Sequence, residues 1–291
     1  MRLKADNVAL PIAVLIAAMV CFQVGVASAK GLFPIVGAAG TTALRMAWAS
    51  LMLLAVWRPW RMRLRRSDAW VIVAYGLAMG CMNLFFYLSL RTIPLGVAVA
   101  LEFSGPLALA MAASRRAIDF AWIVMAALGL LALLPLGLGS KPLDAGGVGC
   151  GLVAGICWAL YIHFGRKAGA AHGGQITALG MVIGSIVIVP IGVAEAGTQL
   201  FSPAILPAAL IVALLSSALP YSLEMLAMPL LPTRTVGVLM SLDPALGALS
   251  GLYFLGEKLT LIQWAAIASI MAASAGSAAT SRPAAAPLLP D

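Results

Sequence analysis

The chain has 291 residues, of which 63% are hydrophobic and only 10% are charged, with a mean hydropathy of +1.05. Soluble domains carry about a quarter charged residues, so this composition excludes an ordinary soluble domain and indicates a polytopic membrane protein. The net charge of +8 is therefore expected to reflect orientation in a membrane, and nucleic-acid binding is not expected.

Hydropathy and helix-breaking residues predict an all-α fold with ten membrane spans. The predicted spans are 8–29, 37–57, 69–90, 94–113, 119–138, 146–165, 174–193, 204–226, 235–255 and 261–279. The first run resembles a signal peptide, but it is longer than a typical signal core and is interpreted as the first span. A proline-containing tail at 281–291 is expected to be disordered.

Basic residues predict the orientation of this bundle. With the N-terminus inside, thirteen of the 18 Lys and Arg residues fall in inner segments, and Arg45 alone lies within a span. The outer segments hold Lys30, Arg91, Lys141 and Lys258. This bias predicts that both termini are cytoplasmic. The basic, Trp-containing stretch 57–66 either binds a membrane lipid or anchors the topology.

The fourth predicted span carries an ionisable residue, Glu102, four positions before Pro106. A charge at such a depth costs roughly 2.5–3.5 kcal/mol on insertion scales, and such residues usually mark a functional site. Pro106 has no N–H, so the Glu102 carbonyl lacks its helical partner. A similar pairing of a carboxylate with a proline recurs at Asp243 and Pro244, with the two prolines 138 positions apart.

That spacing predicts two repeats of five spans, 1–140 and 141–280. An odd number of spans inverts the second repeat, and inverted repeats are typical of transporters with a site at the midplane between the halves. Glycine stripes at Gly76 and Gly80, and at Gly147, Gly151 and Gly155, predict close helix packing.

Polar and aromatic residues within the spans are the candidates for a site. Glu102 and Asp243 suit ion and solute movement, or they hold spans together as structural carboxylates. The remaining candidates for substrate contact are Asn83, Tyr87, Ser104, Tyr221 and Trp158. Asn83 and Tyr87, four residues apart on one helix face, could bind a carboxylate or join helices. Arg45 could pair with a carboxylate or extend its charge outward, and Glu224 could belong to the site or reach water at the inner end.

Catalysis finds little support in the sequence. The two histidines, His163 and His172, lie near the predicted inner surface, and no metalloprotease, nucleophile-elbow or phosphate-binding motif is present. The four cysteines form no CxxC pair and are interpreted as small buried residues. No enzyme activity, metal or cofactor is expected.

Several motifs carry a family resemblance. The stretch 94–107, PLGVAVALEFSGPL, followed by Ser-Arg-Arg at 114–116, resembles the bacterial inner-membrane threonine/homoserine exporters, in the EamA-domain branch of the drug/metabolite transporter superfamily. The supporting matches are ALR at 43–45, LLPLG at 133–137, ALPYSLEM at 218–225, LPTRT at 231–235, MSLDPA at 240–245 and FLGE at 254–257. Asp243 stands where a glutamate is expected, which shortens the reach of the carboxylate.

The resemblance implies efflux of threonine and homoserine from the cytoplasm, driven by protons, with Glu102 and Asp243 as proton-coupling candidates. An exchangeable proton on a buried carboxylate suits that role. The alternative within the same fold is an exporter of another metabolite, a drug or a lipid-linked sugar, and a non-transporting membrane scaffold is a different class. The sequence leaves the oligomeric state open.

Overall fold

The computed structural model describes residues 9–62, 69–112, 117–133, 143–168 and 173–280. These residues form helices, with no β-strand among them. The α-helices are α1 (Ala9–Lys30), α2 (Phe33–Trp57), α3 (Ala69–Ser89), α4 (Leu95–Ala112), α5 (Ala117–Leu133), α6 (Ala145–Ala168), α7 (Gly173–Ala196), α8 (Leu206–Ala213), α9 (Leu219–Ala227), α10 (Thr233–Met240), α11 (Asp243–Leu255) and α12 (Leu261–Thr280).

The all-α prediction with ten spans is confirmed. In the described part of the chain, eight helical segments are long and apolar enough to cross a membrane, and two shorter apolar helices lie at Leu95–Leu109 and Phe120–Leu133. The boundary at 140, the tail at 281–291 and part of the basic set lie outside the described residues. Those basic residues and the second histidine are Arg2, Lys4, Arg63, Arg65, Arg66, Arg115, Arg116, Lys141, His172 and Arg282.

Three spans depart from the regular helices that the hydropathy predicts. Span 2 kinks at Gly37, whose φ of 70° is a left-handed value that suits glycine. Span 8 contains a π-helical segment, Leu214–Ala218, between α8 and α9. Span 9 is broken between α10 and α11, whereas α4 continues through Pro106. The two proline motifs therefore have different backbone structures.

Helices of the first five spans pack mainly against helices of the last five. Helix α2 lies against α7, α3 against α6 and α7, α4 against α6 and α11, and α5 against α12. The predicted glycine stripes lie at these contacts. A Cβ on Gly80 would lie 2.9 Å from the Gly184 Cα, and one on Gly151 would lie 3.1 Å from the Leu101 Cβ. Close backbone approach is what small residues permit between membrane helices.

The tightest crossing joins α4 and α6 at the level of the Glu102 motif. A Cβ on Gly155 would lie 2.8 Å from the Glu102 carbonyl oxygen and 3.1 Å from the Leu101 carbonyl oxygen. Gly105 faces the same crossing from α4. The backbone of α6 therefore fixes the height of Glu102 within the bundle.

Adding one methyl group at this crossing should separate the two helices. Gly155→Ala should destabilise the protein by about 1–3 kcal/mol, the usual cost of overpacking, and lower the thermal transition of the detergent-solubilised protein. Gly149→Ala on the same helix is the matched control, since nothing lies within 4 Å of its Cβ position. Equal melting of both variants would contradict the tight crossing.

Candidate functional site

The break in span 9 places Asp243 at the first position of α11, followed by Pro244. Proline is tolerated in a first turn, where its missing N–H is not needed by the helix. A carboxylate at a helix N-terminus also interacts favourably with the helix dipole. Asp243 is nevertheless only 7% exposed. A broken span thus holds a buried carboxylate in the interior of the bundle.

The π-helical segment of span 8 provides polar groups to the same region. Arg45 in α2 donates from Nη1 to the Ser216 carbonyl oxygen at 3.1 Å and to Ser217 Oγ at 2.8 Å. Helix α1 packs directly on this segment, since a Cβ on Gly25 would lie 2.5 Å from the Ser216 nitrogen. Single π-helical turns within α-helices are frequent at functional sites.

Arg45 is completely buried in the middle of α2. Besides the two serines, its Nη2 donates to Asn83 Oδ1. The guanidinium carbon lies 4.6 Å from the centroid of the Tyr87 ring, which is a cation–π contact. The Arg45 Nε has no hydrogen-bond partner. Arg45 therefore joins α2, α3 and the π-helical segment through neutral groups.

The two predicted carboxylates meet this region from opposite halves of the chain. Glu102, on α4, is 6% exposed and lies close enough to interact electrostatically with both Asp243 and Arg45. Asp243 accepts a hydrogen bond from Gln23 Nε2 at 3.4 Å, whereas the Gln23 Oε1 is buried without a partner. The sequence motifs around the prolines thus converge on one buried, charged cluster, which also contains Arg45 and Gln23.

Asn83 and Tyr87, four residues apart on one face of α3, both lie in this cluster. The Asn83 Nδ2 donates to the Met79 carbonyl oxygen at 2.8 Å, while its Oδ1 accepts from Arg45. The Tyr87 hydroxyl is fully buried and has no partner within hydrogen-bond distance among the described residues, although the Ser216 side chain lies nearby. Both residues therefore contact the Arg45 guanidinium, Asn83 through a hydrogen bond and Tyr87 through its ring.

The other predicted site residues lie around the cluster. Ser104 donates a hydrogen bond to the Leu101 carbonyl oxygen in its own helix. Trp158 packs edge-on against Phe103 at 5.6 Å between ring centroids. Tyr221 is buried in a separate apolar cluster with Tyr75 and, at its edge, Tyr161. The structure thus places these residues beside the charged centre rather than within its hydrogen bonds.

Some members of the cluster were not among the predicted site residues. Gln23, Ser216 and Ser217 are each less than 2% exposed and belong to it. Polar side chains inside apolar spans were the available signal. The Ser216-Ser217 pair alone does not predict a π-helical segment, because that backbone geometry depends on how span 8 packs against α1 and Arg45. Glu224, on α9, is half-buried and interacts electrostatically with Asp243.

Two carboxylates from the second half contact the first half at the predicted outer end of the bundle. Glu257 pairs with Lys30 at 2.6 Å and accepts the Leu95 N–H at 2.7 Å, at the start of α4. Glu195 accepts the Ala39 N–H at 2.7 Å, just after the Gly37 kink, and lies 3.6 Å from Arg91. Each carboxylate thus contacts a backbone N–H near a helix start and a basic side chain, both of which belong to the first half of the chain.

A third outer carboxylate, Asp144, caps the start of α6. Hydrogen bonds from the Gly147 N–H at 2.7 Å and the Thr92 hydroxyl at 2.9 Å lower the pKa of Asp144. Asp144 therefore stays ionised as the pH falls through the usual range for a carboxyl group. Among the residues with described positions, no group of three or more His, Cys, Asp or Glu is arranged to hold a metal.

Comparison with known proteins agrees with this architecture. The EamA-like transporter family matches residues 145–278. A threonine/homoserine exporter RhtA of Salmonella typhimurium is 54% identical over 273 residues, covering 94% of this chain and 92% of that protein. The protein of the same name from Escherichia coli K12 is 52% identical over 280 residues, covering 96% and 95%. A solved crystal structure with 17% identity, covering 93% of this chain and 97% of its own, has a TM-score of 0.57 and shows a shared fold.

Apolar helices packed around buried charged residues, together with these relatives, define a multi-pass membrane transporter rather than an enzyme. The relatives match this chain nearly end to end. The chain belongs to the EamA-like transporter family, together with those exporters.

Removing the outer contacts of Glu257 should expose the interior to the outside. An ion pair at such a partly buried position contributes about 1 kcal/mol, or roughly fivefold in an open–closed equilibrium. The reporter is a cysteine at Val99, which lies one turn beyond Leu95 and is 3% exposed, in a background without Cys21, Cys81, Cys150 and Cys157. This cysteine should react several-fold faster with an external impermeant maleimide in Glu257→Ala.

A cysteine at Lys258 serves as the control, because this exposed residue should react equally with and without Glu257. Unchanged labelling of the Val99 position in Glu257→Ala would show that the contact with Lys30 does not hold the outer end closed.

Proposed function

We propose that the protein exports threonine and homoserine from the cytoplasm by alternating access, in exchange for protons. The names of its relatives point to these cargoes. The observation that carries the proposal is the convergence of Glu102 and Asp243, one from each half, on a buried polar cluster. A zwitterionic cargo needs an anionic partner for its ammonium and hydrogen-bond donors for its carboxylate, and this cluster holds both kinds of group.

The two carboxylates suit the ammonium end. Glu102 makes no hydrogen bond to another described side chain, whereas Asp243 is held by Gln23. Glu102 is therefore the more available acceptor. A hydrophobic cargo would leave these buried charges without partners, which is costly inside a membrane. The charged centre thus favours a small amino acid over an uncharged hydrophobic cargo.

Proton coupling follows from competition for the same oxygen atoms. An ionised Glu102 accepts the substrate ammonium, whereas a protonated Glu102 offers no negative charge to it. Arrival of a proton from the outside therefore favours release of the amino acid there, and loss of the proton to the cytoplasm restores the binding form. One carboxylate serves both ligands in turn, which produces antiport.

Alternating access agrees with the pairing of helices between the proposed repeats, 1–140 and 141–280. When each span is exchanged with the span five positions away, several of the main helix contacts map onto one another. Helix α3 packs on α6 as α9 packs on α1, and α4 packs on α6 as α11 packs on α1. This exchange pattern supports two inverted halves that move against each other around the charged centre.

The proposed location is the bacterial inner membrane, with both termini in the cytoplasm. The described basic residues Arg58, Arg61, Arg166, Lys167 and Arg234 all lie at the proposed inner end. They support this orientation through the positive-inside rule. Exclusive labelling of the Lys258 cysteine from the outside would agree with it.

Reconstituted vesicles provide the test of cargo. Vesicles that contain the purified protein should exchange labelled threonine and homoserine, and an imposed pH gradient should drive net uptake against the proton flow. Protein-free vesicles give the baseline. Exchange of cationic dyes without threonine exchange would contradict the proposed cargo class.

The role of Glu102 can be separated from its structural contribution. Glu102→Gln keeps the size of the side chain but cannot titrate, so flux driven by a pH gradient should fall to near the protein-free baseline. The protein should remain at normal abundance, because a neutral side chain is easier to bury. Glu102→Asp should be intermediate, since its carboxylate is one methylene shorter.

Asp243→Asn is the matched variant in the other half, and its loss of flux should be smaller or equal. Abundance and detergent melting temperature are measured alongside flux for each variant. Full gradient-driven flux in Glu102→Gln would remove Glu102 from the coupling mechanism, and reduced abundance with normal flux per molecule would assign it a structural role.

A further inference from the structure

Arg45 is a fully buried cation without an ion-pair partner in the described part of the chain. Lys30 and Arg91, both at the outer end, pair with Glu257 and Glu195. Arg45 lies in the middle of α2, where a charge is most costly, and no carboxylate of a described residue approaches it within salt-bridge distance. A buried charge is normally paired, so a bound anion would supply the partner that Arg45 lacks among the described residues.

Its present partners are all neutral. They are the Ser216 carbonyl, the Ser217 hydroxyl, the Asn83 carboxamide oxygen and the Tyr87 ring. The Nε remains unbonded, although guanidinium groups bind carboxylates best through two parallel N–H groups. These groups keep the side chain in place but do not compensate its charge.

We propose that Arg45 is the specificity-determining residue that binds the α-carboxylate of the cargo. This inference rests on the proposed amino-acid cargo. In the loaded state the carboxylate replaces the Asn83 oxygen on the guanidinium and also engages Nε. The Asn83 amide is anchored to the Met79 carbonyl oxygen at 2.8 Å, so it holds an oxygen at the guanidinium while no cargo is bound.

The surrounding residues suit this exchange of partners. Tyr87 covers one face of the guanidinium, and its buried hydroxyl has an unused donor for the cargo carboxylate. Glu102 interacts electrostatically with Arg45 across the cluster. A carboxylate on Arg45 directs the ammonium of the same molecule towards Glu102. The site therefore selects molecules that carry both charged groups and discriminates against amines and amino alcohols.

The competing explanation is that Arg45 only joins α2, α3 and the π-helical segment. The two explanations differ at Asn83. Asn83→Asp is nearly the same size but places a permanent carboxylate on Arg45. If Arg45 binds the cargo, that internal carboxylate occupies its place. If Arg45 is only a structural contact, the new ion pair should leave transport intact.

The experiment compares cargo preference and stability in reconstituted vesicles. Labelled threonine exchange is inhibited with unlabelled threonine or with threoninol, in which a hydroxymethyl group replaces the carboxylate. The wild type should prefer threonine by roughly tenfold or more, as expected for a buried charge-assisted contact. Arg45→Gln should reduce this preference to about twofold or less, and Arg45→Lys should restore part of it.

Asn83→Asp should lower threonine exchange by at least about tenfold while the melting temperature stays at or above that of the wild type. Asn83→Ala, which removes the amide without adding a charge, is the matched variant, and its exchange should fall less than that of Asn83→Asp. The Asn83→Asp result decides the question if Arg45→Gln fails to fold.

Failure of the wild type to exchange threonine would overturn the proposed function and this inference together. Threonine exchange by the wild type, combined with an unchanged preference in Arg45→Gln or normal exchange in Asn83→Asp, would overturn the role of Arg45 alone.

Discussion

The burial of one guanidinium near two carboxylates, inside an apolar helix bundle, is the constraint on which the rest of the structure depends. Each such charge is expensive to place in a membrane, so its surroundings must supply polar contacts. Arg45 obtains them from α3 and from the π-helical segment of span 8, while Asp243 obtains them from Gln23 and the start of α11. The departures from regular helix thus occur where the charges need partners.

The remainder of the bundle keeps this centre closed and correctly aligned. Gly155 lets α6 approach the backbone of α4 at Glu102, which fixes the height of that carboxylate. At the proposed outer end, Glu257 and Glu195 connect the two halves through ion pairs and helix starts. Contacts of this type can be exchanged for water when the halves separate. A close crossing of α4 and α6 and polar contacts at one end of the bundle together suit a transporter that opens by movement of its halves.

Much of this architecture could be predicted from the sequence. Runs of apolar residues located all ten spans. The carboxylate–proline motifs pointed to Glu102 and Asp243, which are both buried in the bundle, and their role as a site stays a prediction. The local backbone could not be predicted in the same way. Pro106 and Pro244 both follow a carboxylate in the sequence. Helix α4 nevertheless continues through Pro106, whereas span 9 breaks just before Pro244, which lies in the first turn of α11. The importance of Arg45 also depended on three-dimensional packing, since Ser217 and Asn83 lie far from it in sequence.

Measuring proton release on cargo binding tests directly whether the substrate ammonium and a proton compete for Glu102. Threonine is added to the purified protein in weakly buffered detergent solution, and the released protons are measured with a pH indicator. Protons should be released when the wild type binds threonine, and none should be released from Glu102→Gln under conditions where that variant is saturated with threonine. Binding of threonine to the wild type without proton release, or equal release from Glu102→Gln, would contradict this competition.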